Sequence, residues 1–284
     1  MPETATLLVS CADQKGLVSG ISSFIFHNGG NIQQSDQYTD LEAGTFLARF
    51  EFHLGGFQIP QDQIAERFQP LAQEFSMTFE IHFSQHKPKV ALFASRLPHC
   101  LEDLLERQQL SEFNAEIAVV VSNHPEAGEI AARYRVPFLH FPIAPETKKQ
   151  QEAGELRELQ SRGIELIVLA RYMQVLSEDF ISNYPNRIIN IHHSFLPAFV
   201  GAKPYHQAFL RGVKLIGATG HYVTMNLDEG PIIEQAVARV SHRDTIEDMI
   251  RKGRDLERSV LGRAVRLHLC HRVLTYGNKT VVFD

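Results

Sequence analysis

The apolar residues in the first 84 positions follow two different periods. Apolar side chains at every second position, clearest from Phe46 to Phe52, indicate strands with one buried face. Apolar side chains spaced three or four residues apart, as at Leu17, Ile21 and Ile25, indicate helices. The pattern predicts strands at residues 5–10, 32–38, 45–52 and 77–83, and helices at about 17–28 and 64–75. This βαββαβ order is that of a ferredoxin-like domain.

Two prolines mark irregular points in the pattern. Pro70 lies inside the second predicted helix, where it is expected to kink or split the helix. Pro88 ends the polar segment of residues 85–88, whose composition is typical of a linker. We therefore expect one domain over residues 1–84 and a second over residues 89–284.

The second part of the chain alternates short apolar strands with helices. Strands are predicted at residues 90–94, 117–121, 137–141, 166–170 and 188–191, and helices at 98–109, 126–134, 146–162 and 245–270. Apolar, β-branched strands that alternate with helices indicate an α/β domain with a doubly wound, mostly parallel sheet. Asp244 and Glu247 resemble a capping pair at the start of the last helix.

Asn190, His192 and Asp228 have the chemistry needed to move an acyl group. Because strand side chains alternate, Asn190 and His192 are expected on one face, at the carboxyl end of a strand where α/β sheets bind ligands. Asp228 follows in a turn rich in Asp, Glu and Gly. A neutral donor, an imidazole and a carboxylate can stabilise an oxyanion and transfer protons. His192 and Asp228 each have a structural alternative, since strand-end histidines are often only packed and Asp is common in turns.

Other site chemistries have weaker support in the sequence. His192, His193, His206 and His221 are close in the chain and Cys100 follows His99, so zinc is an alternative, but no HExxH or CxxC spacing occurs and no metal is expected. Ser194 has no GxSxG motif around it, which argues against a serine nucleophile. The absence of GxGxxG and P-loop motifs leaves nucleotide binding unsupported.

Composition limits the compartment and the partners. The 284 residues carry a net charge of −5, so nucleic acid is not an expected partner. No apolar run approaches the roughly 20 residues of a membrane span, and no signal peptide is visible, so no membrane association is expected. The 3 cysteines are scattered, which indicates a reducing compartment rather than a disulfide framework. We expect a cytoplasmic protein.

The N-terminal pattern resembles the ACT regulatory domain. That family has the same βαββαβ order and opens with a strand, an Asp-rich turn and a Gly-Leu helix start, as in CADQKGLV here. The resemblance implies an amino-acid effector, such as methionine or glycine, and a homo-oligomer that pairs through the sheet edge or the helices. A purely structural oligomerisation domain is the alternative. Asp13, Gly16, Asn28 and Asn31 are candidate effector contacts, and equally candidate caps and turns.

The C-terminal part closely resembles the folate-dependent formyltransferase family. The family carries Asn-Ile-His, then a Ser-(Leu/Phe)-Leu-Pro segment, and later an Asp in a Leu-Asp-(Glu/Gly)-Gly-Pro turn. These motifs stand here at residues 190–192, 194–197 and 227–231, and the resemblance covers about 88–284. It implies the formyltransferase fold, with Asn190, His192 and Asp228 as the catalytic residues. It also implies a folate site formed by Arg171, Met173, Gln174, Val175, Leu176 and His221.

Two departures within the family concern the acceptor and the folate tail. Glycinamide ribonucleotide formyltransferases have a Gly-rich loop after the first strand that holds the acceptor phosphate, whereas residues 94–105 here contain no Gly. Without Gly, backbone N–H groups are less free to surround an anion, so water is the expected acceptor. Gln174 stands where the transferases tend to have Arg, so contact with the glutamate tail is expected to differ. Lys203 and His206 are candidates for the cavity entrance.

The resemblance therefore implies hydrolysis of 10-formyltetrahydrofolate to formate and tetrahydrofolate, without a cofactor. Asp228 would activate water and hold His192 charged, while Asn190 and His192 would stabilise the oxyanion. The reaction would balance one-carbon pools and supply formate for purine synthesis. There are two alternatives: a transferase with an unrecognised acceptor, and a folate-binding sensor without turnover.

Overall fold

The protein divides into two compact units. The computed structural model describes residues 3–144, 146–197 and 204–284. One unit contains the chain up to Lys87 together with His271–Tyr276 and Val281–Asp284, and the other contains Pro88–Cys270 and Gly277–Thr280. The C-terminal segment, which the sequence analysis placed in a domain over residues 89–284, is thus divided between the two units.

Long-range hydrogen bonds explain why the C-terminal segment belongs to the first unit. The Arg49 guanidinium donates through Nε to the carbonyl of His271 at 3.0 Å. Tyr276 donates its hydroxyl proton to Asp40 at 3.1 Å. Arg49 is buried, so its donors must find acceptors inside the unit, and the C-terminal segment supplies one.

The first unit has the predicted βαββαβ order. Its elements are β1 (Thr4–Ala12), α1 (Leu17–His27), β2 (Asn31–Asp40), β3 (Thr45–His53), α2 (Ile64–Glu74) and β4 (Thr78–Phe83). The four strands form one sheet in the order β2-β3-β1-β4, with antiparallel neighbours. The helix α2 continues through Pro70 rather than splitting there. A ring cluster that includes Phe50, Phe52 and Phe68 fills the core.

The second unit alternates strands and helices, as predicted. Its elements are β5 (Lys89–Ala94), α3 (His99–Gln109), β6 (Glu116–Ser122), α4 (Glu126–Arg133), β7 (Phe138–His140), α5 (Lys148–Ser161), β8 (Leu166–Ala170), α6 (Glu178–Ser182), β9 (Ile188–His192), α7 (Pro204–Arg211), β10 (Leu215–Tyr222), β11 (Ile232–Arg239) and α8 (Ile246–Leu269). The chain ends with a two-stranded sheet of β12 (Val273–Tyr276) and β13 (Lys279–Val282).

The central sheet of the second unit is mostly parallel. Its strand order is β11-β10-β9-β8-β5-β6-β7. The strands from β9 to β7 are parallel neighbours, whereas β10 and β11 run antiparallel at one edge. This confirms the expected α/β class and adds two strands that the sequence pattern did not predict.

The long helix α8 begins one residue away from the predicted cap. Thr245 accepts a hydrogen bond from the backbone N–H of Asp248, and the Asp248 carboxylate accepts one from the backbone N–H of Thr245. This is a capping box, so the proposed pair of Asp244 and Glu247 is wrong. Asp244 instead accepts hydrogen bonds from Lys252 and from the backbone of Ser241. Among the described residues, no helix has the length and apolar character of a membrane span.

Candidate active site

The site forms where two parallel strands end side by side. β8 ends at Ala170 and β9 at His192, and the two strands pair in parallel register through Leu169 and Asn190. Because the carboxyl ends of parallel strands lie at one edge of the sheet, residues 171–177 and the side chains of Asn190 and His192 converge there. Arg171 takes a left-handed conformation with φ 62°, which turns the chain sharply out of β8.

All of the site residues named from the sequence line one cavity of about 250 Å³. They are Asn190, His192, Asp228, Arg171, Met173, Gln174, Val175, Leu176 and His221. Residues 223–227 also line the cavity, and of these the sequence analysis named only Leu227, as part of the motif at residues 227–231. Met225 and Leu227 are exposed there, and so are Met173 and Val175. A cluster of large, exposed apolar side chains at a cavity is typical of a ligand-binding surface.

His192 and Asp228 form a close pair inside the cavity. The Nδ1 atom of His192 lies 3.2 Å from Oδ2 of Asp228, and both side chains are largely buried. The hydrogen bond to His192 lowers the pKa of Asp228 below its usual value although burial acts in the opposite direction, so Asp228 is a carboxylate at neutral pH. The Nε2 atom of His192 is buried and has no hydrogen-bond partner among the described residues.

Asp228 is held by a tight turn whose backbone conformation requires glycine at position 230. It has φ 57°, in the left-handed region. Two residues later, a Cβ on Gly230 would lie 1.8 Å from the carbonyl oxygen of Tyr222, so only glycine fits. The backbone N–H of Tyr222 donates to the carbonyl of Pro231 at 2.9 Å and closes the turn.

His221 fixes the orientation of Asn190 from the neighbouring strand. The two residues face each other across the antiparallel pair of β9 and β10. The Nδ1 atom of His221 lies 2.9 Å from the carbonyl oxygen of Tyr222, and a carbonyl can only accept, so Nδ1 carries a proton. Burial lowers the pKa of His221, which keeps the ring neutral and leaves Nε2 as an acceptor. Asn190 therefore donates its Nδ2–H to that nitrogen, at 3.2 Å.

A buried polar cluster that the sequence analysis missed adjoins the cavity. Glu257 in the middle of α8 is 1% exposed. Its carboxylate receives hydrogen bonds from the Tyr205 hydroxyl and from Nε2 of His99, both at 2.7 Å, and lies 3.5 Å from Nε of Arg171. Burial raises the pKa of Glu257, but these partners outweigh it and the pKa is lowered overall. The sequence signal was a Glu on the apolar stripe of α8, with Val260, Leu261 and Ala264.

The same cluster is a poor fit for a metal ion. Ligand atoms of His99, Cys100 and Glu257 lie within 4.8 Å of one another, and within the described ranges no other such group occurs. Burial strongly raises the pKa of the Cys100 thiol, and Arg171 already supplies a positive charge beside Glu257. A divalent cation would need the thiolate and would be repelled by the guanidinium.

The remaining histidines and Lys203 have other surroundings. His193 is mostly buried, and burial together with the charges of Arg171 and His192 lowers its pKa to about 4. His206 lies exposed on α7, and Lys203 falls outside the described residues. Ser194 is buried rather than presented to the cavity.

Comparison with known proteins first defines the class. Residues 88–265 match the family described as formyl transferase. Glycinamide ribonucleotide transformylase 1 from Symbiobacterium toebii is a structural relative, with a TM-score of 0.67 and 33% identity over 72% of this chain and 97% of that one. Residues 88–265 therefore form a formyl transferase domain.

Whole-chain relatives then define the particular family. The formyltetrahydrofolate deformylase of Synechocystis sp. is 54% identical over 280 residues, which cover 99% of this chain and 98% of the relative. The crystal structure of a formyltetrahydrofolate deformylase from Pseudomonas syringae pv. tomato is similar with a TM-score of 0.98 and 47% identity, covering 100% of this chain and 95% of that one. The chain belongs to the formyltetrahydrofolate deformylases.

Proposed function

We propose that this protein hydrolyses 10-formyltetrahydrofolate to formate and tetrahydrofolate, with Asn190, His192 and Asp228 as the catalytic residues. The observation that carries the assignment is one cavity in which a fixed amide donor, an imidazole and a carboxylate meet. Family membership supplies the substrate, because the relatives that match the whole chain bear the name formyltetrahydrofolate deformylase.

Asn190 and His192 stabilise the oxyanion in this mechanism. One Nδ2–H of Asn190 is used by His221, which holds the amide in place while the second N–H remains available to the formyl oxygen. Protonated His192 presents a second donor through Nε2. Donors fixed before the reaction cost no reorganisation when charge develops, and removing one costs on the order of 10²–10³ in rate.

Asp228 acts on the attacking water. The carboxylate accepts a proton as the water oxygen forms a bond to the formyl carbon, giving a tetrahedral intermediate. The C–N10 bond then breaks as N10 takes the proton that Asp228 accepted from water, and the formic acid released loses its own proton to solvent to give formate. The Asp228 carboxylate also holds the ring of His192 in place through their contact at 3.2 Å.

The folate occupies the cavity between residues 171–177 and 223–227. Polar backbone groups of the first segment would bind the pterin edge, and Val175 and Leu176 would form an apolar wall. Ser95 supports this segment, because its Oγ accepts a hydrogen bond from the backbone N–H of Met173 at 3.1 Å. Ser95 belongs to the glycine-free loop after β5, so here that loop supports the folate wall.

Water is the acceptor in this assignment, and no metal takes part. The test is formate release from 10-formyltetrahydrofolate with a chelator present and no amine added. Formate at a rate unaffected by the chelator is expected. Formyl transfer that requires an added amine would instead favour a transferase, and folate binding without turnover would favour a non-catalytic binder.

The first unit is proposed to act as an ACT-like regulatory domain that senses an amino acid. A cavity of about 290 Å³ lies beside the turn before α1, lined by Asp13, Gly16, Gln37 and Thr39 among others. This supports Asp13 and Gly16 as effector contacts. Asn28 instead donates to the carbonyl of Phe24 at 2.7 Å, as a helix-end residue does. A change in formate release on adding methionine or glycine, lost in Asp13→Ala, would identify the effector.

The protein is further proposed to be a cytoplasmic homo-oligomer that balances one-carbon pools and supplies formate for purine synthesis. The strands β2 and β4 lie at the two edges of the four-stranded sheet, and an edge strand can pair with a strand of another chain. The support for a reducing compartment is the scattered set of three cysteines in the sequence, Cys11, Cys100 and Cys270. Light scattering of the purified protein tests the oligomer.

A further inference from the structure

The helix α5 holds the folate-binding segment, residues 172–177, at three points. The Lys148 ammonium donates to the carbonyl of Val175 at 2.6 Å. The Glu152 carboxylate accepts a hydrogen bond from the backbone N–H of Ser177 at 3.1 Å. Tyr172, at the other end of the segment, lies close enough to the side chain of Glu155 for each group to influence the pKa of the other. Movement of these side chains would therefore be transmitted to the wall of the cavity.

Two of these contacts come from carboxyl groups that are buried on one helix face. Glu152 is 6% exposed and Glu155 is 1% exposed, and they stand three residues apart, so their side chains are neighbours. Lys148 lies 4.0 Å from Glu152 and partly compensates its charge. In the described part of the chain, the titratable groups that face Glu155 are Glu152 on α5 and Tyr172 after β8, and neither is a cation.

Around Glu155 there are more buried hydrogen-bond acceptors than donors. Gln151 donates its Nε2–H to Oε1 of Glu155 at 2.9 Å. The second oxygen of Glu155 and the amide oxygen of Gln151 are both buried and have no donor among the described residues. Both atoms are acceptors, so a proton on Glu155 would supply a missing donor. Burial, with a contribution from Glu152, raises the pKa of Glu155 to about 7, in agreement with this count.

We propose that Glu155 is a positioning residue whose bound proton keeps residues 172–177 in the shape that admits folate, so that folate binding weakens when the proton is lost. The idea rests on the proposed function of the cavity as a folate site. When Glu155 loses its proton, two negatively charged carboxylates, those of Glu152 and Glu155, lie side by side in a buried position. Their repulsion is relieved when one of them moves. Either movement shifts an end of the segment, through Tyr172 or through Ser177.

The direction of the pH effect follows from the raised pKa. Below the folded pKa of about 7, Glu155 is neutral and the contacts are intact. As the pH rises through that value the carboxylate ionises, and affinity for folate falls. Glu155→Gln keeps the size and a donor but has no charge to gain, so its affinity should stay constant over the same range.

The test is the dissociation constant of tetrahydrofolate, measured anaerobically by calorimetry between pH 6 and pH 8.5. For the wild type we expect affinity to weaken on the order of three- to tenfold across this range. Glu155→Gln should remove most of that change. Glu158→Gln is the matched control, because Glu158 lies on the same helix but has a partly exposed side chain that pairs with Arg162 at 3.3 Å. Tyr172→Phe, a second variant, removes one of the two routes to the segment and should reduce the change without abolishing it, because Glu152 still contacts Ser177.

Parallel profiles for the wild type and Glu155→Gln, or a flat wild-type profile, would overturn the proposal. Formate release is measured on the same proteins, where the KM should follow the dissociation constant while kcat of Glu155→Gln stays near that of the wild type. Absence of formate at every pH would count against the proposed hydrolysis, yet calorimetry would still decide the role of Glu155.

Discussion

The amide nitrogen of Asn190 lies 3.2 Å from Nε2 of His221, across the antiparallel pair of β9 and β10. This contact determines which end of the amide faces the ring. His221 must donate from Nδ1 to the Tyr222 carbonyl, so its other nitrogen can only accept from Asn190. An N–H of the amide is thereby directed and held before any substrate binds, which is the condition for an effective oxyanion donor.

The pair of Asn190 and His221 should behave as one unit in a double-mutant cycle. Asn190→Ala is expected to lower kcat on the order of 10²–10³, because the donor itself is lost. His221→Phe should lower kcat less, since the amide remains but is no longer held. The double variant should be no worse than Asn190→Ala, because coupled residues are not additive. His206→Phe, on the exposed surface of α7, is the control. Additive losses in formate release would contradict the arrangement.

Asp228 should give a pH-dependent contribution to stability as well as to rate. Its pKa is lowered in the folded protein, so its stabilising effect is present above the usual value of 3.8 and is lost as the pH falls below it. Asp228→Asn should therefore be less stable than the wild type at pH 6, and the difference should shrink toward pH 3. Urea unfolding at several pH values measures this.

The same substitution should lower kcat on the order of 10² or more, because the proton acceptor for water is removed. Asp179→Asn serves as the control, because Asp179 is exposed on the short helix α6 and does not line the cavity. A stability difference that does not change with pH would argue against the pairing of Asp228 with His192.

The sequence predicted the elements best where periodicity is local. The alternation at Phe46–Phe52 and the apolar run of β8 each identify a strand without knowledge of its neighbours. β10 was missed because Gly217 and Gly220 interrupt its pattern, and both are needed where other groups approach closely. A Cβ on Gly217 would lie 2.8 Å from the carbonyl of Ala236, and one on Gly220 would lie 3.0 Å from Cβ of Ala264.

The site was predictable as far as its residues lie in contiguous motifs. Asn190, His192 and Asp228 were named because their spacing in the chain is itself the signal. Glu257 was not, since its partners His99 and Tyr205 are 158 and 52 residues away and meet it only in the folded chain. The membership of the C-terminal segment in the first unit was missed for the same reason, because the partner of His271 is Arg49.

Removing the Glu257 side chain should destabilise the protein, because the buried charge of Arg171 would lose its partner. The Glu257 carboxylate lies beside the buried guanidinium of Arg171, so Glu257→Ala strands that cation and should destabilise the protein by about 3–5 kcal/mol. Glu247→Ala, at the exposed start of the same helix, should cost far less. Denaturant unfolding of both variants measures the difference. A loss for Glu257→Ala no larger than for Glu247→Ala would mean that Arg171 is compensated elsewhere.

Substitution of Gly230 should reduce turnover about as much as substitution of a proposed catalytic residue such as Asp228. A Cβ at this position would lie 1.8 Å from the carbonyl oxygen of Tyr222, so the turn that bears Asp228 must move to accept Ala. A displacement near 1 Å at a catalytic group costs on the order of 10² in rate. Gly230→Ala is therefore expected to lower kcat by about that factor while most of the fold persists, as judged by circular dichroism.

Gly55→Ala is the matched control for Gly230→Ala. Nothing lies within 4 Å of a Cβ built on Gly55, and its φ is not in the left-handed region, so the same substitution should leave formate release unchanged. Gly230→Ala should also lose the stabilisation that Asp228 provides at pH 6. In this variant the Asp228 carboxylate no longer reaches His192. Normal kcat in Gly230→Ala would mean that the position of Asp228 does not depend on this turn.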